Sequence, residues 1–405
     1  MKIISANWLV TCDENNSILE NGAVVFDDKI KDIDSLSNIE KKYPNVEIEK
    51  LGENSVLMPG LINSHVHLEF SGNTTTLKYG NFYSWLNSVI KHREDLINKA
   101  STKLISTKLD RMKKTGTTTI GAISSYSFDL DACVKTPINT VFFCEVIGSK
   151  GDMIDTLFAD FKDRLNIAKK YKSSTFIPAI AIHSPYSVHP FLVRETLNLA
   201  RAENLPVSSH FLESYEEFEW LHKDEGSFVE FFKNFLNQEK AVTKPMEFLN
   251  LFSNIKNLSF THCVEASSDD LEKIHSLGAS INHCVTSNRF LNNSKLDLSK
   301  LSKIPFTIGT DGLSSNNSLS MFDELRNALM IHCEKNIVDF SKILLKASTL
   351  NGARALGLNK GTLQKEFDAD MITFTLPDEV EDVEDLCMQI ILHTKFVDKT
   401  IIGGE

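Results

Sequence analysis

Eight short apolar runs recur along the middle of this chain, most of them separated by stretches with helical periodicity. They are VLMPGLINSHVH (56–67), TTTIGAISS (117–125), INTVFFCEVIGS (138–149), TFIPAIAIHSP (175–185), LPVSSHFLES (205–214), LSFTHCVEAS (258–267), ASINHCVTSN (279–288) and IPFTIGTDGLSS (304–315). A strand that is apolar throughout is buried on both faces, as parallel strands covered by helices are. Repeated strand–helix units imply parallel strands, and eight of them imply a closed (β/α)8 TIM-like barrel more often than an open sheet. In such a barrel the chemistry sits at the C-terminal ends of the strands.

Those ends carry a constellation. The first run holds His65 and His67, two positions apart and therefore on the same side of a strand. The fifth gives His210 and Glu213, the sixth His262, and the eighth Asp311. Any one of these is most simply an ordinary polar residue, but four imidazoles and two carboxylates converging by chance on one barrel face is a poor explanation. Nitrogen and oxygen donors without thiolates suit Zn²⁺ or Fe²⁺.

The flanks read differently. Residues 1–55 and 361–405 are β-rich, and neither is long enough to bury a core alone. They are expected to meet as a small composite β-sandwich domain beside a catalytic barrel spanning 56–360, with GTLQKEFDADMITFTL and IILHTKFVDKTIIGG as its last strands. The net charge of −11 over 405 residues argues against a nucleic-acid partner. No window approaches the roughly 20 apolar residues of a bilayer span. Seven scattered cysteines and no export signal fit reduced thiols in the cytoplasm. A homodimer is expected only on base rates.

MPGLINSHVH and FDADMI resemble the first-strand and closing motifs of the amidohydrolase superfamily, and the resemblance covers nearly the whole chain. It implies that His65, His67, His210 and Asp311 hold one divalent ion, that Glu213 shuttles protons, and that His262 orients the attacking water or the tetrahedral centre. Two-metal members carry a carboxylated lysine at the end of the fourth strand; His183 stands there, which implies a mononuclear site. The H-x-x-E spacing of His210 and Glu213, with NHCVTSN, is similar to the deaminase and chlorohydrolase branch. Within it, HVHLEFSGN, YGNFYSWLNSVI and HFLESYEEFEWL resemble the family of 6-amino-6-deoxyfutalosine deaminases of a route to menaquinone. Methylthioadenosine, S-adenosylhomocysteine and other aminopurine deaminases are its sisters.

The implied reaction is hydrolytic removal of ammonia from a small-molecule aminopurine nucleoside. Glu213 would carry a proton from water to N1, and Asp311 would pass one to the departing amine. Through H-S-P-Y, the resemblance implies that His183 contacts the nucleoside. Glu69 is a candidate for a ribose hydroxyl, Ser149 for another polar group of the substrate, and Asn288 a candidate through the NHCVTSN likeness. Phe82 and Trp85 could stack on a base or pack on the core face of a helix, and core packing is the simpler expectation. A dihydroorotase-like cyclic-amide hydrolase would want the missing lysine, and a cytidine-type zinc deaminase would need a C-x-x-C that is absent. A ligand-free scaffold on the same fold would have lost residues that are all present here.

Overall fold

The computed structural model describes residues 1–72 and 75–405; Asn73, the last residue of the HVHLEFSGN stretch, lies outside them. Eight strands form one parallel sheet in sequence order: β1 (Leu61–Val66), β2 (Thr117–Ser124), β3 (Asn139–Val146), β4 (Phe176–Ile182), β5 (Val207–Phe211), β6 (Leu258–His262), β7 (Ser280–His283) and β8 (Phe306–Ile308). The ring closes between its ends, where Ser64 Oγ donates to the Ile308 carbonyl at 2.9 Å and the Asp311 amide donates to the His65 carbonyl at 3.1 Å. This is the expected TIM-like barrel.

Two layers fill its interior. Ile62, Ile123, Val141, Phe143, Ala179 and Ala181 pack with Ala353 and Leu356 from the segment around helix Leu350–Ala355. A polar layer runs through Asn282, whose Oδ1 accepts from Thr307 Oγ1 (2.8 Å) and whose amide donates to Thr261 Oγ1 (3.0 Å) and Ser259 Oγ (3.2 Å). These buried groups satisfy one another, so they cost little and hold the strand ends in register.

The chain termini share one seven-stranded sheet. Ile30, on the strand at one end of its order, and Ile401, on the strand at the other, lie in the same apolar cluster, so the sheet curls over its own core. The expected boundary at residue 55/56 moves. Ser55–Pro59 pairs with Met371–Thr375 and with Trp8 and Leu9 in the terminal sheet, and the chain enters the barrel at Gly60. A Cβ on Gly60 would meet Thr118 Cγ2 at 2.1 Å, so only glycine passes there. The apolar run is continuous through both strands because both are buried, which hides the crossing from a pattern reading.

The tail needs a second correction. Leu386–His393 is a helix, not part of a strand, and buries Leu386, Cys387, Ile390 and Ile391 on one face. Short apolar runs do not distinguish the two states by pattern alone. In FDADMI, Asp370 is a clamp: it takes Lys360 Nζ and Asn139 Nδ2 at 2.8 Å on Oδ2, and the Gly403 amide at 2.7 Å on Oδ1. It thereby ties the C-terminal segment to the start of β3. Among the described residues no helix is long and apolar enough to cross a membrane, and all seven cysteines are free.

Candidate active site

The C-terminal end of the barrel brings His65, His67, His210, Glu213, His262 and Asp311 together. His65, His67 and His210 each place a ring nitrogen within 4.8 Å of the others', and Glu213, His262 and Asp311 form a second such group. His67 Nε2 lies 3.2 Å from His210 Nε2, and Asp311 Oδ1 stands 3.6 Å from His67 Nε2 and 3.9 Å from His65 Nε2. These gaps are too long for hydrogen bonds to the carboxylate.

The outer nitrogens are occupied. His65 Nδ1 meets Thr261 Oγ1 at 3.1 Å, and His210 Nδ1 meets the His183 carbonyl at 2.8 Å. A carbonyl only accepts, so the neutral His210 ring carries its hydrogen on Nδ1 and turns the Nε2 lone pair inward. His65 Nε2 is buried with no partner. Burial, with the neighbouring imidazoles adding, holds both rings well below the usual histidine range. Three imidazoles and one carboxylate oxygen converge here, with His65, His210 and Asp311 held from behind, and such a set could hold a divalent ion.

The two carboxyls are driven apart. Burial raises Glu213 well above its usual range, and Asp311, Glu217 and Glu216 add to it. Burial acts the same way on Asp311, but the histidines His67, His262, His65 and His210 outweigh it and hold that group below the usual range. One carboxyl shifted toward keeping its proton and one shifted toward ionisation, in a single pocket, suit paired acid and base work. Asp311 Oδ2 accepts from Ser287 Oγ and Ser315 Oγ, both at 2.8 Å, which leaves Oδ1 facing the histidines. Glu213 Oε1 is 3.4 Å from His262 Nε2. The backbone is left-handed at Leu212 (φ 46°), His262 (φ 70°) and Asp311 (φ 58°).

A cavity of about 580 Å³ opens over the cluster, within the size range of a small-ligand pocket. His183 and Ser149 line it. His183 Nδ1 is held by Ser187 Oγ at 2.6 Å and Ser184 Oγ at 3.1 Å, and Ser149 Oγ donates to Gln238 Oε1 at 3.3 Å.

Two other expected substrate contacts lie elsewhere. The Glu69 carboxylate is consumed by backbone amides of Ser125 (2.7 Å), Tyr126 (3.1 Å) and Phe128 (2.8 Å), so it builds the loop after β2 and has nothing left for a ribose. Asn288 accepts from His262 Nδ1 at 2.9 Å and positions that ring. Sequence alone could not show these partners, because one is backbone and the other sits on a different strand end.

Trp85 packs against the core as a partly buried residue and also lines the cavity, donating Nε1–H to the Ser314 carbonyl at 2.8 Å. Glu145, Tyr126 and Arg93 also line it and carried no sequence assignment. Glu145 was hidden inside an apolar run whose two faces both read as buried.

A barrel with a His/Asp donor set at its C-terminal end, joined to a small β domain, defines a class of hydrolytic enzymes. The chain belongs to the amidohydrolase family, whose model matches residues 56–405. It is 46% identical over its full length to an aminodeoxyfutalosine deaminase of Nitratiruptor sp., covering 99% of that protein. It is 34% identical, over 100% of this chain and 99% of the relative, to a protein of Helicobacter pylori named adenosine deaminase. The crystal structure of H. pylori aminofutalosine deaminase in complex with methylthio-coformycin superposes with a TM-score of 0.95, at 33% identity and with 100% and 99% of the two chains covered.

Proposed function

We propose that this chain hydrolyses the exocyclic amine of a 6-aminopurine nucleoside, converting 6-amino-6-deoxyfutalosine to futalosine and ammonia on a route to menaquinone. The observation that carries the reading is 46% identity, end to end, to a deaminase of that substrate. The neutral imidazoles and paired carboxyls at the barrel mouth support it with the required chemistry.

His65, His67, His210 and Asp311 would hold one ion, Zn²⁺ or Fe²⁺. Bound there, it supplies the Lewis acidity that makes water a nucleophile near neutral pH. Histidine at position 183, in place of a carbamate-forming lysine, favours a single ion. Glu213, whose buried carboxyl readily keeps a proton, takes one from water and delivers it to N1 of the purine. His262 donates Nδ1–H to Asn288 Oδ1, so its neutral ring offers Nε2 as an acceptor that aims the attacking water. Asp311, held ionised, collects the second proton and returns it to the amino group as the C6–N bond breaks. Water's oxygen stays on C6, and its hydrogens leave with ammonia and at N1.

Ammonia release by zinc- or iron-loaded protein tests the reading, with aminodeoxyfutalosine, methylthioadenosine, S-adenosylhomocysteine, adenosine, guanine and cytosine as substrates. Aminodeoxyfutalosine is expected to have the highest kcat/KM. A higher value for adenosine or methylthioadenosine would move the assignment to a sister activity, and inertness toward all six would end it.

A further inference from the structure

We infer that Glu145 is the residue that recognises the ribose hydroxyls of the substrate; the inference rests on the nucleoside reading above. Glu145 is the seventh residue of β3. Phe142, Cys144 and Val146 face the helices, whereas Val141 and Phe143 lie in the barrel interior, and Glu145 continues that inner face. It is 1% exposed. From outside, Arg164 donates to its carbonyl at 2.8 Å and fixes the strand end.

Its two oxygens differ. Oε2 accepts from Ser125 Oγ at 2.5 Å, while Oε1 is buried and has no partner. The carboxylate lines the cavity, with an oxygen within 4.8 Å of ring nitrogens of His183 and His210. Glu69, nearby in the fold, shows what a structural carboxylate looks like here: both its oxygens are taken by backbone amides. Leaving Oε1 of Glu145 bare inside the barrel costs stability unless a ligand supplies the donor.

A carboxylate accepts only, so that ligand must bring N–H or O–H groups. The cavity narrows the choice. His67, His210, Glu213 and Asp311 claim the aminopurine ring. The rest of the lining includes apolar residues such as Leu86, Ile90, Ile147 and Met153, with the basic residues Arg93 and Lys150 among them, which suits a largely apolar 5′ substituent that ends in an anionic group. Between base and 5′ substituent a nucleoside carries two secondary hydroxyls, and a buried acceptor beside His183 is placed to bind them.

The test uses full-length, metal-loaded protein. The best ribonucleoside of the panel is compared with its 2′,3′-dideoxy analogue for wild type, Glu145→Gln and Glu145→Ala. Wild type is expected to favour the ribonucleoside by about 100-fold in kcat/KM, since a site built for hydroxyls rejects analogues that lack them. Glu145→Ala should erase that preference by losing the ribonucleoside rate while changing the dideoxy rate less than about threefold; Glu145→Gln should fall between.

Equal losses on both substrates, or an unchanged preference, would overturn the inference. So would metal analysis showing two ions in wild type and one in Glu145→Gln, which would make Glu145, His183 and His210 a second cation site. If wild type turns over none of the panel, the nucleoside reading itself has failed. Equilibrium dialysis then decides for Glu145: adenosine binding that is lost in Glu145→Ala upholds it, and binding that is unaffected, or absent in wild type, ends it.

Discussion

Two buried aspartates sit in contrasting surroundings on this barrel. Asp370, against the start of β3, is neutralised by Lys360 and sealed by Asn139 and the Gly403 amide. Asp311, beyond the end of β8, accepts from two hydroxyls and one amide and faces imidazoles, with no lysine or arginine paired to it among the described residues. Hydroxyls orient a carboxylate but do not cancel its charge. The chain closes its electrostatic balance where it needs stability and leaves it open where an ion is proposed to bind. Strained backbone follows the same division: Asp311 has a left-handed φ and Asp370 does not.

The sharpest way to break that contrast is to exchange carboxyl for amide on each side. At the open end, Glu213→Gln should lower kcat by about 10²–10⁴ while the protein keeps its ion, because only proton transfer is lost. Asp311→Asn should lose activity together with metal content, measured by elemental analysis. If Glu213→Gln turns over at the wild-type rate, the proton shuttle is elsewhere.

At the sealed end, Asp370→Asn should leave kcat per folded molecule within about twofold but lower the unfolding free energy by about 3 kcal/mol, read from denaturant midpoints. Breaking a buried pair commonly costs 3–5 kcal/mol. The low end applies because Asp368 still stands 3.6 Å from Lys360. A loss of activity without a loss of stability would dissolve the contrast.

A smaller effect tests how the open end is held in shape. Asn288→Ala removes the acceptor behind His262 and should cost about 10–100-fold in kcat/KM with metal content intact, the usual scale for a residue that orients another. An unchanged rate would leave His262 held by the strand end alone.

The open end was the more legible of the two. His65, His67, His210, His262 and Asp311 are polar residues at the ends of apolar runs, and a barrel brings all such ends together. Their identity and the count of eight strands were therefore enough to gather them. The supports were not legible. Glu69 reads as a free acid near the site, yet it serves three backbone amides that no side-chain pattern announces. Glu145 reads as an interruption of a strand buried on both faces, because its neighbours are apolar on either side. The crossing at Gly60 and the helix Leu386–His393 were hidden for a related reason: burial on every side removes the periodicity that distinguishes elements.

The last test measures the cost of burying a carboxyl between these extremes. Glu324 accepts from the Thr286 amide at 2.9 Å, Thr286 Oγ1 at 2.6 Å and Asn316 Nδ2 at 3.1 Å, but among the described residues no lysine or arginine pairs with it. Burial, offset in part by those bonds, pushes it up to about 7 from an ordinary 4.5. Between those two values the folded protein holds a proton that the unfolded chain releases. Stability therefore falls as pH rises through that window and levels off above it. Glu324→Gln removes the titration. The stability of wild type relative to this variant should decline from pH 4.5 to 7, by at most about 1.4 kcal/mol per pH unit. Parallel pH profiles for the two proteins would mean that the three hydrogen bonds fully offset burial, and that hydroxyl and amide donors suffice to seal a carboxylate in this barrel without a cation.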